Sequence, residues 1–136
     1  ADPYALYEAD GTRLLAQAEP PALDMEALLA GELARNDRGC FGVRTQGSER
    51  FVPVVFPYGT AGANADAISF KGREFALGAV LAVGGGNVPL TAPDGSALAQ
   101  ALQGCGFGGE VFISGYELQL LSEFEAQMAE TRDETP

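Results

Sequence analysis

From Leu28 to Ile113 apolar residues come in short runs cut by turn formers, the pattern of an all-β sandwich or barrel, with no long amphipathic helix between them. Leu28 to Leu33 reads as a first strand. Asn36-Asp37-Arg38-Gly39 turns the chain into a second, Cys40 to Thr45. After Gln46-Gly47-Ser48, the β-branched and aromatic run Phe51 to Phe56 predicts a strand whose internal Pro53 lacks a ladder donor, which places it at an edge or on a bulge. Ala61 to Asp66 reads as a loop. Ile68-Ser69-Phe70 and Glu74 to Leu77 then form a tight hairpin about Lys71-Gly72. Gly78 marks a bulge or the sharp bend that closes a small barrel, and Gly84-Gly85-Gly86 ends the strand Ala79 to Val83. Beyond the Pro93-Asp94-Gly95 turn, Ser96 is placed to cap a short helix through Leu102, and Val111 to Ile113 is the last clear central strand.

The two ends read differently. Tyr116, Leu118 and Leu120 alternate as in a strand, whereas Leu120, Leu121, Phe124 and Met128 recur at helical spacing. Ser122-Glu123-Phe124-Glu125 matches a capping box, so the strand is expected to run to about Leu120, followed by a helix to about Thr131 and an acidic tail. At the other end Tyr4 to Leu15 alternates weakly around a hairpin-like Asp10-Gly11, and Pro20-Pro21 separates this arm from the rest. The expected organisation is an N-terminal arm over 1–27, a β-barrel-like domain over 28–120, and a C-terminal helix and tail over 121–136.

Several of these features occur in an order that resembles small secreted or lipoprotein OB-like β-barrel domains of bacteria. They are Gly39-Cys40, Phe56-Pro57-Tyr58-Gly59, Gly72-Arg73-Glu74-Phe75, Val83-Gly84-Gly85-Gly86, Cys105 and the aromatic strand at Phe112. The resemblance spans roughly residues 28 to 114, and this chain has Phe56 where the pattern carries Trp and Phe41 where it carries Leu. It implies a compartment and an OB-like fold, which together with the residue patterns above gives the expected architecture, a mainly β, Gly-rich, OB-like barrel with a short helix and a C-terminal helix. It implies no reaction.

Composition sharpens this picture. At 136 residues and 46% hydrophobic the chain suits one folded domain, and no apolar stretch reaches the ~20 uninterrupted positions of a membrane helix. Membrane insertion is not expected. The start at Ala1-Asp2-Pro3 fits the end left by signal cleavage, and export would oxidise Cys40 and Cys105 into a disulfide worth roughly 3–5 kcal/mol in the chain-entropy model. The alternative is two buried thiols in a cytosolic protein. The net charge of −11 is uneven: residues 40–86 carry a net +1, while 1–39, 87–117 and 118–136 carry −5, −3 and −4. Such a field repels phosphate backbones and argues against nucleic acid and anionic membranes as partners.

The chain contains no His, which removes Ser-His and Cys-His nucleophile pairs and the usual zinc and facial-triad sites. Gly104 to Gly109 spells G-x-G-x-x-G, but a dinucleotide fingerprint needs a strand before it and a helix after it, the reverse of the order here. Ser69 and Lys71 share one strand face as a nucleophile and base would, yet Lys71 abuts a watery Gly turn and is better read as solvated. Acidic pairs for glycoside hydrolysis have no Trp platform beside them. Calcium is the least excluded ligand, through the turn residues Asp10, Asp24, Asp37, Asp66 and Asp94, none in D-x-D-x-D-G spacing. No cofactor, metal or catalytic residue is therefore assigned. Phe56, Tyr58 and Phe107, beside glycine or proline, are the candidate contact residues, set against core packing for the two Phe. The expectation is a non-catalytic extracytoplasmic binding or structural module that contacts a protein partner or assembles with itself by strand addition from the N-terminal arm or the strand near Pro53. The rival is a cell-surface enzyme or enzyme inhibitor.

Overall fold

A computed structural model describes residues 4–9, 11–19, 27–45, 47, 50–64, 66–89, 97–106 and 110–133. It contains a hairpin, β1 (Tyr4–Ala9) and β2 (Thr12–Gln17), and five barrel strands. These are β3 (Ala27–Arg35), β4 (Phe41–Thr45), β5 (Phe51–Val55), β9 (Val80–Pro89) and β10 (Glu110–Leu120). Between β5 and β9 the chain makes a meander, β6 (Thr60–Asn64), β7 (Ala67–Phe70) and β8 (Arg73–Ala76). Two helices, α1 (Ala97–Gly104) and α2 (Leu121–Asp133), complete the elements.

The barrel closes in the order β10-β5-β4-β3-β9. All neighbours are antiparallel except β5 and β10, so the third barrel strand in the chain lies parallel to the fifth. That is the Greek-key closure of an OB-like barrel. Alternation sorts the closing strands into two layers. Val54, Phe56 and Phe112 face inward with Leu29, Leu33, Phe41, Val43, Leu81 and Val83, whereas Val55, Val111 and Ile113 face out. The outward group is covered by Leu15, Ala101 and the Cys40–Cys105 disulfide, with Tyr4 and Leu6 against its margin. Leu14 and Ala16 of β2 belong to the inner core and Leu15 to the outer one, so β2 lies between the two. Its backbone is tied there by Arg13 N–H to Gly39 O, Gln17 N–H to Phe56 O, and Phe56 N–H to Leu15 O, at 2.9–3.0 Å.

The meander closes one barrel end, placing Ile68, Phe70 and Phe75 against the interior side chains. Gly78, at φ 90°, turns the chain from β8 back into the barrel and donates its N–H to Leu33 O. Asn36 builds the β3–β4 turn: its Oδ1 accepts the N–H groups of Arg38 and Cys40, and its Nδ2 donates to Cys105 O at 2.8 Å. The disulfide and this hydrogen bond thus fix the same two loops. Among the described residues no helix is long and apolar enough to cross a membrane.

Several sequence expectations need correction. Pro53 is neither at an edge nor on a bulge. β5 pairs with β4 over Phe51–Pro53 and with β10 over Val54 and Val55, so the proline sits where one ladder hands over to the other and its missing N–H breaks neither. Residues 61–64 of the segment read as a loop belong to strand β6, whose small residues form a strand by pairing with β7. The triple glycine lies inside β9, because β10 passes so closely that a Cβ on Gly85 would collide with the Ile113 carbonyl. Phe56, a candidate contact residue, is fully buried beneath the hairpin and presents no ring to a partner. Helix α2 starts earlier than the Ser122-to-Glu125 capping box: Leu120 holds the cap position and Glu123 reaches back to its N–H, at 3.4 Å.

The glycine contrast is testable. Gly85→Ala is expected to lower stability by about 1–3 kcal/mol, the range of core overpacking. Gly84→Ala, with open space at its Cβ, is expected to change stability by less than about 0.5 kcal/mol. Paired urea melts of the two variants measure the difference.

Candidate functional site

Two clefts flank the meander. The first lies between the β1–β2 hairpin and β6, about 180 Å³ in volume, with Leu14 and Phe41 as floor and Tyr7, Glu8 and Asn64 at the rim. Tyr7 is 45% exposed. The hairpin around this cleft uses one edge of β1 to pair with β2. Because Ala9↔Thr12 flanks a two-residue turn, Ala9, Tyr7 and Ala5 exchange ladder bonds with β2, while the peptide groups of Leu6 and Glu8 point away from it. Arg13 Nε pairs with Glu8 Oε2 across the hairpin at 3.2 Å.

The second cleft, about 260 Å³, opens between the core-facing side of the meander and β10 with α2. Phe70 and Arg73 are direct cross-strand partners and Phe75 follows two residues later, so all three leave the sheet on one face. Lys71 and Gly72 form the hairpin tip with φ 52° and 77°, and Lys71 is the sole non-glycine with positive φ among the described residues. The Lys71 ammonium stands 5.2 Å from the Phe70 ring centroid, and the Arg73 guanidinium 5.1 Å from that of Phe75. Leu118, Gln119 and Gln127 face them across the cleft. Arg73 Nη1 meets Glu123 Oε1 at 2.7 Å, with both side chains nearly half exposed. That hydrogen bond, helped by the Leu120 N–H and the Arg73 charge, holds the Glu123 carboxyl below its ordinary value against the opposing effect of desolvation.

The residues singled out by sequence are scattered. Cys40 and Cys105 form the disulfide, 65 residues apart in the chain. Tyr58 is 46% exposed in the turn between β5 and β6. Phe107 lies outside the described residues, as do Asp10, Asp24 and Asp94. Ser69 does not join Lys71: the positive φ ends the strand alternation, and the lysine leans over Phe70, whose side chain leaves the sheet on the face opposite Ser69. Asp66 supplies its carbonyl to Leu77 N–H and its carboxylate to Arg35 at 3.7 Å. Among the described residues, no three acidic or cysteine side chains gather as metal ligands.

No family model, curated protein or solved structure matches this chain.

The sequence reading missed the Lys71–Arg73 cleft. A signal was present: a type I′ hairpin tip favours Asn-Gly or Asp-Gly, and this chain places its single lysine there instead.

The Glu123 interaction predicts a pH response. A carboxyl whose folded pKa is depressed contributes stability above its unfolded pKa and loses that contribution as pH falls through the folded value. The Glu123 carboxyl resonance is therefore expected to titrate below the ordinary carboxylate range, and Arg73→Gln to return it there. An NMR titration of wild type and variant measures both midpoints.

Proposed function

We infer that the protein is a non-catalytic extracytoplasmic binding or structural module that engages a protein partner, a second copy of itself included, by adding a strand to β1. The observation that carries this reading is the asymmetry of edges. Each barrel strand has a neighbour on both sides, whereas β1, like the outer meander strands β6 and β8, has a ladder on one side only, and β1 directs the peptide groups of Leu6 and Glu8 away from it. A strand edge of this kind is a template for another chain, and the exposed Tyr7 beside it offers an aromatic anchor. The Pro53 strand is no longer available for strand addition, since it lies inside the closed barrel. The disulfide supports an oxidising compartment. The net charge of −11 disfavours nucleic acid and anionic membranes as partners.

Proline provides the test. At position 8 the backbone N–H points away from β2, so Glu8→Pro removes a donor from the outer edge and leaves the internal hairpin ladder in place. Wild type is expected to self-associate with rising concentration. Glu8→Pro should weaken that association by about tenfold or more, the loss of roughly one well-placed hydrogen bond with the neighbouring contacts it aligns, and Glu8→Gln should retain it. Light scattering coupled to size exclusion reads all three. A wild type that stays monomeric at every concentration ends the self-assembly reading.

A further inference from the structure

We propose that the cleft carrying Lys71 and Arg73 is a recognition site for a carboxylate side chain on an acidic peptide segment of another protein. The site lies on the meander, away from the β1 edge, and does not depend on strand addition.

Four observations lead to this ligand. First, Lys71 is the single lysine of a chain with net charge −11, and it stands two residues from Arg73. Both cations lie over aromatic rings of the same sheet at the mouth of one cleft, Lys71 over Phe70 and Arg73 over Phe75. Rings placed this way help to fix the positions of the two cationic heads. Second, Lys71 occupies a left-handed backbone conformation that lysine adopts at a cost and that glycine or asparagine would adopt more easily. Folding alone does not call for an ammonium there. Third, a carboxylate from this chain is already paired with one of the two cations, beside the cleft. Glu123 meets Arg73 at Nη1, one nitrogen of a guanidinium with five N–H donors, and the pair is exposed enough to exchange. Glu123 thus shows the chemistry that Arg73 accepts, and an incoming carboxylate competes with it. Fourth, a volume of about 260 Å³ falls just below the usual range of small-molecule and cofactor pockets. It suits a side chain or two with adjoining backbone, for which Leu118 supplies an apolar wall and Gln119 an amide.

The experiment is a fluorescence-anisotropy titration of the folded, oxidised protein with a fluorescein-labelled tetraglutamate peptide at physiological ionic strength. Saturable binding is expected in wild type. Lys71→Gly and Arg73→Gln should each weaken it about tenfold, the scale of one charge-assisted hydrogen bond. Lys71→Gly suits the positive φ, so its melting temperature should hold or rise by a few degrees, which separates lost binding from lost folding. Glu123→Gln keeps the Oε1 acceptor for the Leu120 N–H and removes the negative charge that competes for Arg73, so it should tighten binding about threefold. Arg50→Gln, an exposed charge elsewhere, should leave it unchanged. The proposal is overturned if no saturable binding is seen, if Arg50→Gln weakens binding as much as Lys71→Gly, or if Glu123→Gln fails to tighten it. Displacement of the peptide by inorganic phosphate at lower concentration than by free glutamate also overturns it, by making the site one for phosphate.

Discussion

The barrel depends on a short parallel ladder between β5 and β10, in which Val54 and Val55 meet Phe112 and Ile113. Closing the sheet there turns five open strands into a core with no free barrel edge, and it fixes which side chains lie inside. The same closure creates a problem on its outer surface. Parallel strands are apolar on both faces, and here Val55, Val111 and Ile113 would meet water. The β1–β2 hairpin and α1 resolve it by covering that face. The Cys40–Cys105 disulfide, which closes a long loop, holds the β3–β4 turn against the end of α1. In the chain-entropy picture a loop of this length contributes about 4 kcal/mol. The hairpin and α1 are thus a second layer that the closure requires.

This explains which parts of the fold were legible in the sequence. Alternation and turn residues located β3, β4, β7, β8 and both helices, because each has a local hydrophobic period or a strong turn signal. The misread places are those where tertiary contact overrides local signals. Pro53 is tolerated inside a closed barrel because its ladder changes partner at that residue. Gly84-Gly85-Gly86 looks like a strand end, yet Gly85 is required by the approach of Ile113 from β10, a contact with no local trace. Between Ser114 and Leu118, β10 carries three residues where β9 carries one, so the irregularity in β10 could not be counted from either strand alone.

The candidate sites were less legible for a related reason. Proximity to glycine or proline marks Phe56 and Tyr58 alike as contact candidates, and core packing, the competing reading for Phe56, is what the structure shows. Phe56 follows the inward phase of β5 and supplies backbone bonds to β2, whereas Tyr58 comes after the strand has ended. Phase along the strand decided exposure. The Lys71–Arg73 cleft needs the β7–β8 register, the cross-strand placement of Phe70 opposite Arg73, and an α2 that begins early enough to present Glu123. The last of these differs from the capping reading by two residues, which moves Glu123 from the first helical position to the third, where it reaches back to the Leu120 N–H and meets Arg73.

A division of labour follows. Core geometry constrains the barrel strands on every side, and both proposed contact surfaces lie on segments appended to them, the hairpin before β3 and the meander between β5 and β9. Charge sets the terms on which those segments act. A net −11 repels an acidic partner or a second copy at long range, but at physiological ionic strength screening confines that repulsion to about 8 Å. Inside that distance local groups prevail: at β1 the acidic Glu8 is matched by Arg13, and at the meander Lys71 and Arg73 lie within the one segment of the chain whose net charge is positive. On the proposed reading, the acidity of the flanks suppresses unspecific association, and close contact is left to these two surfaces.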